Sequence, residues 1–231
     1  MKTSKEIIAE VKQIFATSWV IRDGTKVPEP EDIKLGNDAV LLDGTVLYAD
    51  MADSTALVDG YKNWFAAKVY KSYLVAACHL IRNNSGEITA FDGDRVMAVF
   101  MGKTKNSSAA KTALQINWVV IKINEALKSK YPNSAFQLRH SVGIDTSNLF
   151  VERTGIRNSN DLVWVGRAAN YSAKLSNISE DSYSLYITEP VFTALSPDTK
   201  YGGNPKGLMW EKAHWKEGNL TIYKSNWYWE P

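Results

Sequence analysis

Apolar residues at Ile7, Ile8, Val11, Ile14 and Phe15 fall on one helical face, and the pattern ends at Asp23-Gly24 and Pro28-Glu29-Pro30-Glu31-Asp32. This opening reads as a short helix followed by an extended arm. A strand-like run then extends from Gly44 to Asp50. Asp53-Ser54-Thr55 stands where a cap would start a long helical region reaching Arg82, with Leu57, Tyr61, Trp64, Phe65 and Tyr73 among its apolar positions. Asn83-Asn84-Ser85-Gly86 stops it. Between Glu87 and Met101, two β-rich runs flank an Asp-Gly-Asp turn, which is a hairpin signal. Asn106-Ser107-Ser108 predicts the cap of a second helix carrying Ala113, Leu114, Trp118, Ile121 and Leu127, and Pro132 limits it. Strand-like runs at 136–144, 149–151, 162–165, 185–188 and 220–224 alternate with helical patches at 168–177 and 190–195.

The resulting order is β-α-β-β-α-β with later additions. That is the order of a ferredoxin-like α+β fold, in which helices cover a mixed, mostly antiparallel sheet. No internal repeat is visible. Trp227-Tyr228-Trp229 is unusually aromatic for a carboxyl end and is expected to dock on the domain or on a partner subunit.

Composition narrows the partners. The 231 residues, 45% of them hydrophobic, suffice for one large domain with a sizeable core. Lys+Arg exceed Asp+Glu by only 27 to 25, so there is no basic field to attract nucleic acid. Cys78 is the sole cysteine, which excludes an internal disulfide and a cysteine-rich zinc site and suits a reducing compartment. No apolar stretch approaches the ~20 residues that span a bilayer, and the first ten residues lack a signal-peptide core. A cytoplasmic protein without a membrane partner is expected.

Two aspartates carry the candidate chemistry. Asp50 closes a run that could lie on a buried sheet, and Asp94 sits in the hairpin turn. If both carboxylates meet at one sheet edge, they form a hard-oxygen site for Mg²⁺ or Mn²⁺ that substrate phosphates complete. Otherwise they are two unrelated turn aspartates.

The surrounding motifs resemble a known family. Val46-Leu47-Tyr48-Ala49-Asp50-Met51 is similar to the first metal strand of the class III nucleotide cyclase catalytic domain. Gly93-Asp94 with Val96-Met97-Ala98-Val99-Phe100 is similar to its second metal hairpin. Val142-Gly143-Ile144 resembles the following strand, and the stretch from Val165-Gly166-Arg167 to Lys174 resembles the helix bearing a transition-state asparagine and a basic residue. The resemblance runs from about Asp43 to Lys224 and divides the chain into an amino-terminal helix and arm, 1–42, and a catalytic domain, 43–231. It implies Asp50, Met51 and Asp94 as metal-binding positions for two divalent cations per site (Mn²⁺ or Mg²⁺), and Asn170 and Lys174 as catalytic residues. Asn170 and Lys174 are four apart and share one helical face. The family usually has arginine where Lys174 stands. It also implies a head-to-tail homodimer, with the aspartates of one chain facing the asparagine and lysine of the other. Arg139 and Lys216 are candidate triphosphate contacts.

Purine cyclases of this family place a lysine four residues before the second metal aspartate. They place an aspartate or threonine three residues before the glycine that opens the asparagine helix. Here those positions are Ala90 and Val163, which cannot hydrogen-bond a purine edge. Tyr48 and Arg95 instead bring a hydroxyl and a guanidinium to candidate base-contacting positions. This combination, with the arm at Arg22-Asp23-Gly24 and Pro28 to Asp32, resembles the pyrimidine nucleotide cyclases of bacterial Pycsar anti-phage systems. The resemblance implies conversion of UTP or CTP to a 3′,5′-cyclic monophosphate that acts on a separate effector protein. Arginine only donates hydrogen bonds, so uracil with two carbonyl oxygens is favoured over cytosine. The alternatives are a cytidylate cyclase, an adenylate cyclase with an atypical base pocket, and a nucleotide-sensing domain without turnover. Arg95 could also pair with Asp92 or Glu87, and the Tyr48 hydroxyl with a neighbouring backbone group.

Overall fold

The structure, a computed structural model, describes residues 2–178, 180 and 182–231. A Thr3/Glu6 capping box starts helix α1 (Ser4–Ala16), and strand β1 (Val20–Asp23) follows. Next come β2 (Asp38–Ala52), α2 (Ser54–Gly60), α3 (Asn63–Asn83), β3 (Gly86–Asp92), β4 (Arg95–Phe100) and α4 (Lys105–Lys130). The second half holds β5 (Arg139–Ile156), β6 (Ser159–Val165), α5 (Arg167–Leu175), β7 (Leu185–Thr188), α6 (Glu189–Thr193) and α7 (Pro197–Lys200). A small ladder of β8 (Tyr201–Gly202) and β9 (Gly207–Leu208) precedes the closing hairpin of β10 (Glu211–Trp215) and β11 (Leu220–Ser225). Among the described residues, no helix is long and apolar enough to cross a membrane.

Several predicted boundaries shift for physical reasons. The helical region expected from Asp53 to Arg82 breaks at Tyr61-Lys62, whose extended backbones separate α2 from α3. Asp53 does not cap it: the residue is left-handed (φ 59°), its side chain makes no capping bond, and its carboxylate lies 3.3 Å from Arg139 Nη1. The second helix begins before Asn106-Ser107-Ser108 because those side chains serve distant partners. Asn106 Oδ1 accepts from Thr45 Oγ1 at 2.8 Å, and Ser107 Oγ accepts from the Ser196 N–H at 2.8 Å. The runs at 136–144 and 149–151 join into the single long strand β5.

The chain forms two compact units, residues 1–43 with 148–166 and residues 44–147 with 167–231. In the first, β1 pairs in parallel with the start of β2, from Val20↔Asp38 to Asp23↔Leu41, and β6 pairs antiparallel with the end of β5. Arg22 Nη1 lies 2.6 Å from Asp38 Oδ1, and Trp19 meets Phe150 edge to face at 4.9 Å. The amphipathic α1 forms as expected, yet none of its residues is buried.

The second unit contains the sheet order β10-β11-β7-β5-β2-β4-β3, with β5 and β2 central. Its pairings are antiparallel at β10/β11, β11/β7, β2/β4 and β3/β4 and parallel at β5/β7. Period-two alternation sends Leu47, Ala49, Val96 and Ala98 into a core with Phe65, Val69, Tyr73 and Ala77 of α3 and Ala109, Ala113 and Leu114 of α4. On the opposite face, Leu175 of α5 packs with Tyr186, Trp215 and Ile222. The aromatic tail docks on the unit: Asn117 Nδ2 donates to the carbonyls of Asn226 and Trp227 (2.9 Å each), and the Trp229 N–H donates to Leu114 O.

Candidate active site

The alternation that buries Leu47, Ala49 and Met51 turns Tyr48 and Asp50 to the other face of β2. Ladder pairing sets Tyr48 beside Met97, Met97 beside Ala90, and Arg95 beside Asp92, so these residues share that face. A register shift between Ile88 and Ala90 places a bulge in β3 just before this point, a device that re-aims side chains at sheet edges. The β3–β4 turn needs a left-handed residue, which Gly93 supplies (φ 63°), and Asp94 follows it. From the helical layer, the buried Tyr73 hydroxyl donates to Asp50 O at 3.4 Å.

Asp50 and Asp94 are near enough for the charge of one to act on the other. Burial pushes the Asp50 carboxyl up to about 6; Asp94 and Asp92 add to the rise, while Arg95 and the Met51 amide oppose it. The buried Asp94 Oδ2 has no hydrogen-bond partner. Arg95 Nε lies 3.6 Å from Asp50 Oδ2, an ion pair too long to be a hydrogen bond. Glu87 is held by Arg82, so of the alternatives for Arg95 neither the Glu87 nor the Asp92 pairing forms; the guanidinium faces Asp50 instead. The Tyr48 hydroxyl makes no hydrogen bond among the described residues. Burial raises its pKa, with Arg95 opposing and Asp92 assisting.

This donor set fits a hard divalent cation. Two carboxylates within each other's electrostatic reach, one with an orphaned oxygen, call for positive charge. Met51 buries its thioether in the core, so only its carbonyl could face such an ion. No group of three or more His, Cys, Asp or Glu side chains gathers among the described residues. The shell would be completed by substrate oxygens and water, as Mg²⁺ prefers.

Asn170 and Lys174 lie together on the exposed face of α5. The Lys174 ammonium pairs with Glu217 Oε1 at 3.0 Å, and the Asn170 amide makes no hydrogen bond among the described residues. Lys216 precedes Glu217 in the β10–β11 turn, so it stands at the same corner as Lys174. Arg139 opens β5 beside Asp53.

No family model matches the chain. Curated relatives do: it is 47% identical to a uridylate cyclase of Xanthomonas perforans over 99% of both chains. It is 45% identical to a uridylate cyclase of Burkholderia cepacia over 95% of both. The chain belongs to the uridylate cyclase family. Among solved structures, the adenylyl cyclase CyaB from P. aeruginosa superposes with a TM-score of 0.69 at 18% identity, covering 81% of this chain and 95% of that one. The uridylate cyclase homologue thus has the class III cyclase fold and is a nucleotide cyclase.

Within this cyclase, the seat of α5 went unread in the sequence. Arg167 Nε and Nη2 grip the fully buried Asp145 carboxylate at 3.0 and 3.2 Å, and Thr188 Oγ1 donates to the same group. Ser172 Oγ accepts from the Asp145 N–H and donates to Val46 O, both at 2.8 Å. Burial raises the Asp145 carboxyl against the lowering effect of these partners. The signal available was an arginine opening a helix and a serine on its inward face, which pattern reading takes for ordinary solvent-facing side chains.

Proposed function

We propose that this chain is a divalent-cation-dependent uridylate cyclase, converting UTP to 3′,5′-cyclic UMP and pyrophosphate in a homodimer. The observation that carries the reading is the shared sheet face of Tyr48, Asp50 and Arg95 beside the orphaned Asp94 oxygen. The two curated relatives named uridylate cyclases support it.

Asp50, Asp94 and the Met51 carbonyl would hold the cations. Divalent cations held there would neutralise the triphosphate and acidify the ribose 3′-hydroxyl. Arg95 donates to uracil carbonyl oxygens, and the free Tyr48 hydroxyl adds a second polar contact. The 3′-oxygen attacks the α-phosphorus in line, its bond forms as the bond to pyrophosphate breaks, and the hydroxyl proton passes to solvent water. No protein nucleophile takes part. Asn170 of the partner chain orients the ribose, and Lys174 exchanges Glu217 for the charge developing on the phosphoryl group. Arg139 and Lys216 are assigned to the triphosphate. The exposure of Asn170 and Lys174, which leaves both accessible to a second chain, supports a site shared between chains. Following the resemblance, cyclic UMP then serves as a messenger to a separate effector in anti-phage defence, and the enzyme works in the cytoplasm.

Purified protein is incubated with UTP, CTP, ATP and GTP in competition, with Mn²⁺ or Mg²⁺, and products are identified by mass spectrometry. Cyclic UMP is the expected dominant product, absent in Asp50→Ala and Asp94→Ala and after chelation. Dominant cyclic CMP or cyclic AMP would overturn the base assignment, and undiminished turnover by Asp94→Ala would overturn the metal site.

A further inference from the structure

Arg95 occupies an unusual electrostatic position. It directly follows Asp94 in the turn, and the ladder step beyond Ala49↔Val96 brings it beside Asp50. Its side chain is 27% exposed and that of Asp50 13%, so water screens the pair weakly. Yet Arg95 Nε, like Asp94 Oδ2, is buried without a hydrogen-bond partner. The guanidinium is held by the charge of Asp50 rather than by directed bonds, and the adjacent residue Asp94 keeps an equally unsatisfied oxygen. A side chain in its final seat would satisfy such groups.

We propose that Arg95 is the resident counter-ion of the Asp50/Asp94 pair, and that a divalent cation entering there displaces its guanidinium and frees it to bind the base. This rests on the metal reading given above. Without Arg95, two buried carboxylates would face each other uncompensated. Once a doubly charged ion takes over that task, it repels the guanidinium. Asp92, the cross-strand neighbour of Arg95 on its far side, offers a new direction away from Asp50. Metal occupancy and uracil recognition are thereby linked through one side chain, and the linkage is reciprocal: the cation strengthens UTP binding, and UTP strengthens cation binding. Arg95 acts as a positioning residue for the metal step and as a contact in the base step.

Mn²⁺ binding to the nucleotide-free protein, followed by electron paramagnetic resonance, tests this without turnover. Arg95→Gln removes the competing charge and is expected to bind Mn²⁺ roughly tenfold more tightly than wild type, given the strength of a close, weakly screened charge. Arg95→Lys keeps the charge and should stay near the wild-type affinity. Arg95→Gln binding no tighter than wild type, or Arg95→Lys tightening equally, overturns the counter-ion role. Asp94→Asn separates the two readings. If it binds Mn²⁺ as well as wild type, the metal site itself fails. If it loses Mn²⁺ while Arg95→Gln gains nothing, only the counter-ion inference fails.

Discussion

At His140, on β5 and 5% exposed, the two ring nitrogens have opposite surroundings. Asn117 spends its Nδ2 hydrogens on the carbonyls of Asn226 and Trp227, so its Oδ1 faces His140 Nε2 at 3.0 Å, and Nε2 must carry the proton. His140 Nδ1 is buried and unpartnered. Burial lowers the imidazole pKa to about 3 from its ordinary 6.5. Between those values the unfolded chain binds a proton that the folded chain refuses. Stability is therefore intact above pH 6.5 and declines as pH falls through this window. At about 1.4 kcal/mol per pH unit, the loss reaches about 2 kcal/mol at pH 5. Urea unfolding at pH 7 and pH 5 should show this loss in wild type and a smaller one in His140→Gln. Equal losses would place the acid sensitivity elsewhere. Asp50 and Asp94 could be singled out in the sequence because each sits within a short motif next to a strand run. His140 could not, because its partners lie 23 residues away and, through Asn117, a further 109.

Helix α5 shows what decides the position of Asn170 at the level of an element. It approaches β5 so closely that a Cβ on Gly143 would stand 2.2 Å from Ser172 O and 2.6 Å from the Ser176 nitrogen, both backbone atoms. Nothing flexible can give way, so Gly143→Ala must lift the helix. Overpacking of this kind costs about 1–3 kcal/mol, which the domain can survive, whereas displacing a catalytic group by ~1 Å costs about a hundredfold in rate. Gly143→Ala is expected to fold, melt lower and lose cyclase activity about a hundredfold. A variant with near-normal turnover would show that α5 has slack. The local signals for β7, the β3–β4 hairpin and α5 sufficed, because turn glycines and alternation are written within each segment. The break at Tyr61-Lys62, the fusion that makes β5 and the strand β10 were not legible. The first is a local turn to extended backbone at Tyr61 and Lys62 within an otherwise continuous apolar pattern, and the others rest on pairing with strands far along the chain. In α1 the periodicity was read correctly, but period alone cannot say what an apolar face will cover.

For the molecule as a whole, the arrangement divides the chemistry into two sets. Tyr48, Asp50 and Arg95 line the sheet face turned from the α3/α4 core, and Asn170 and Lys174 project from α5 with no hydrogen bond or ion pair to them or to Asp94 among the described residues. Under the proposed shared-site reading, a second copy supplies the half of the site that each chain lacks. In a head-to-tail dimer each chain gives its aspartates to one site and its asparagine to the other. Asp94→Asn and Asn170→Ala homodimers should then both be nearly inactive, since every site lacks one component. When the two variants are mixed and allowed to exchange subunits, half of the dimers are mixed. Each mixed dimer holds one site with both defects and one with none. The mixture should recover about a quarter of the wild-type rate, because half of the dimers carry half of their sites intact. If the sites were complete within single chains, mixing would restore nothing, and the rate would stay at the sum of the two parents.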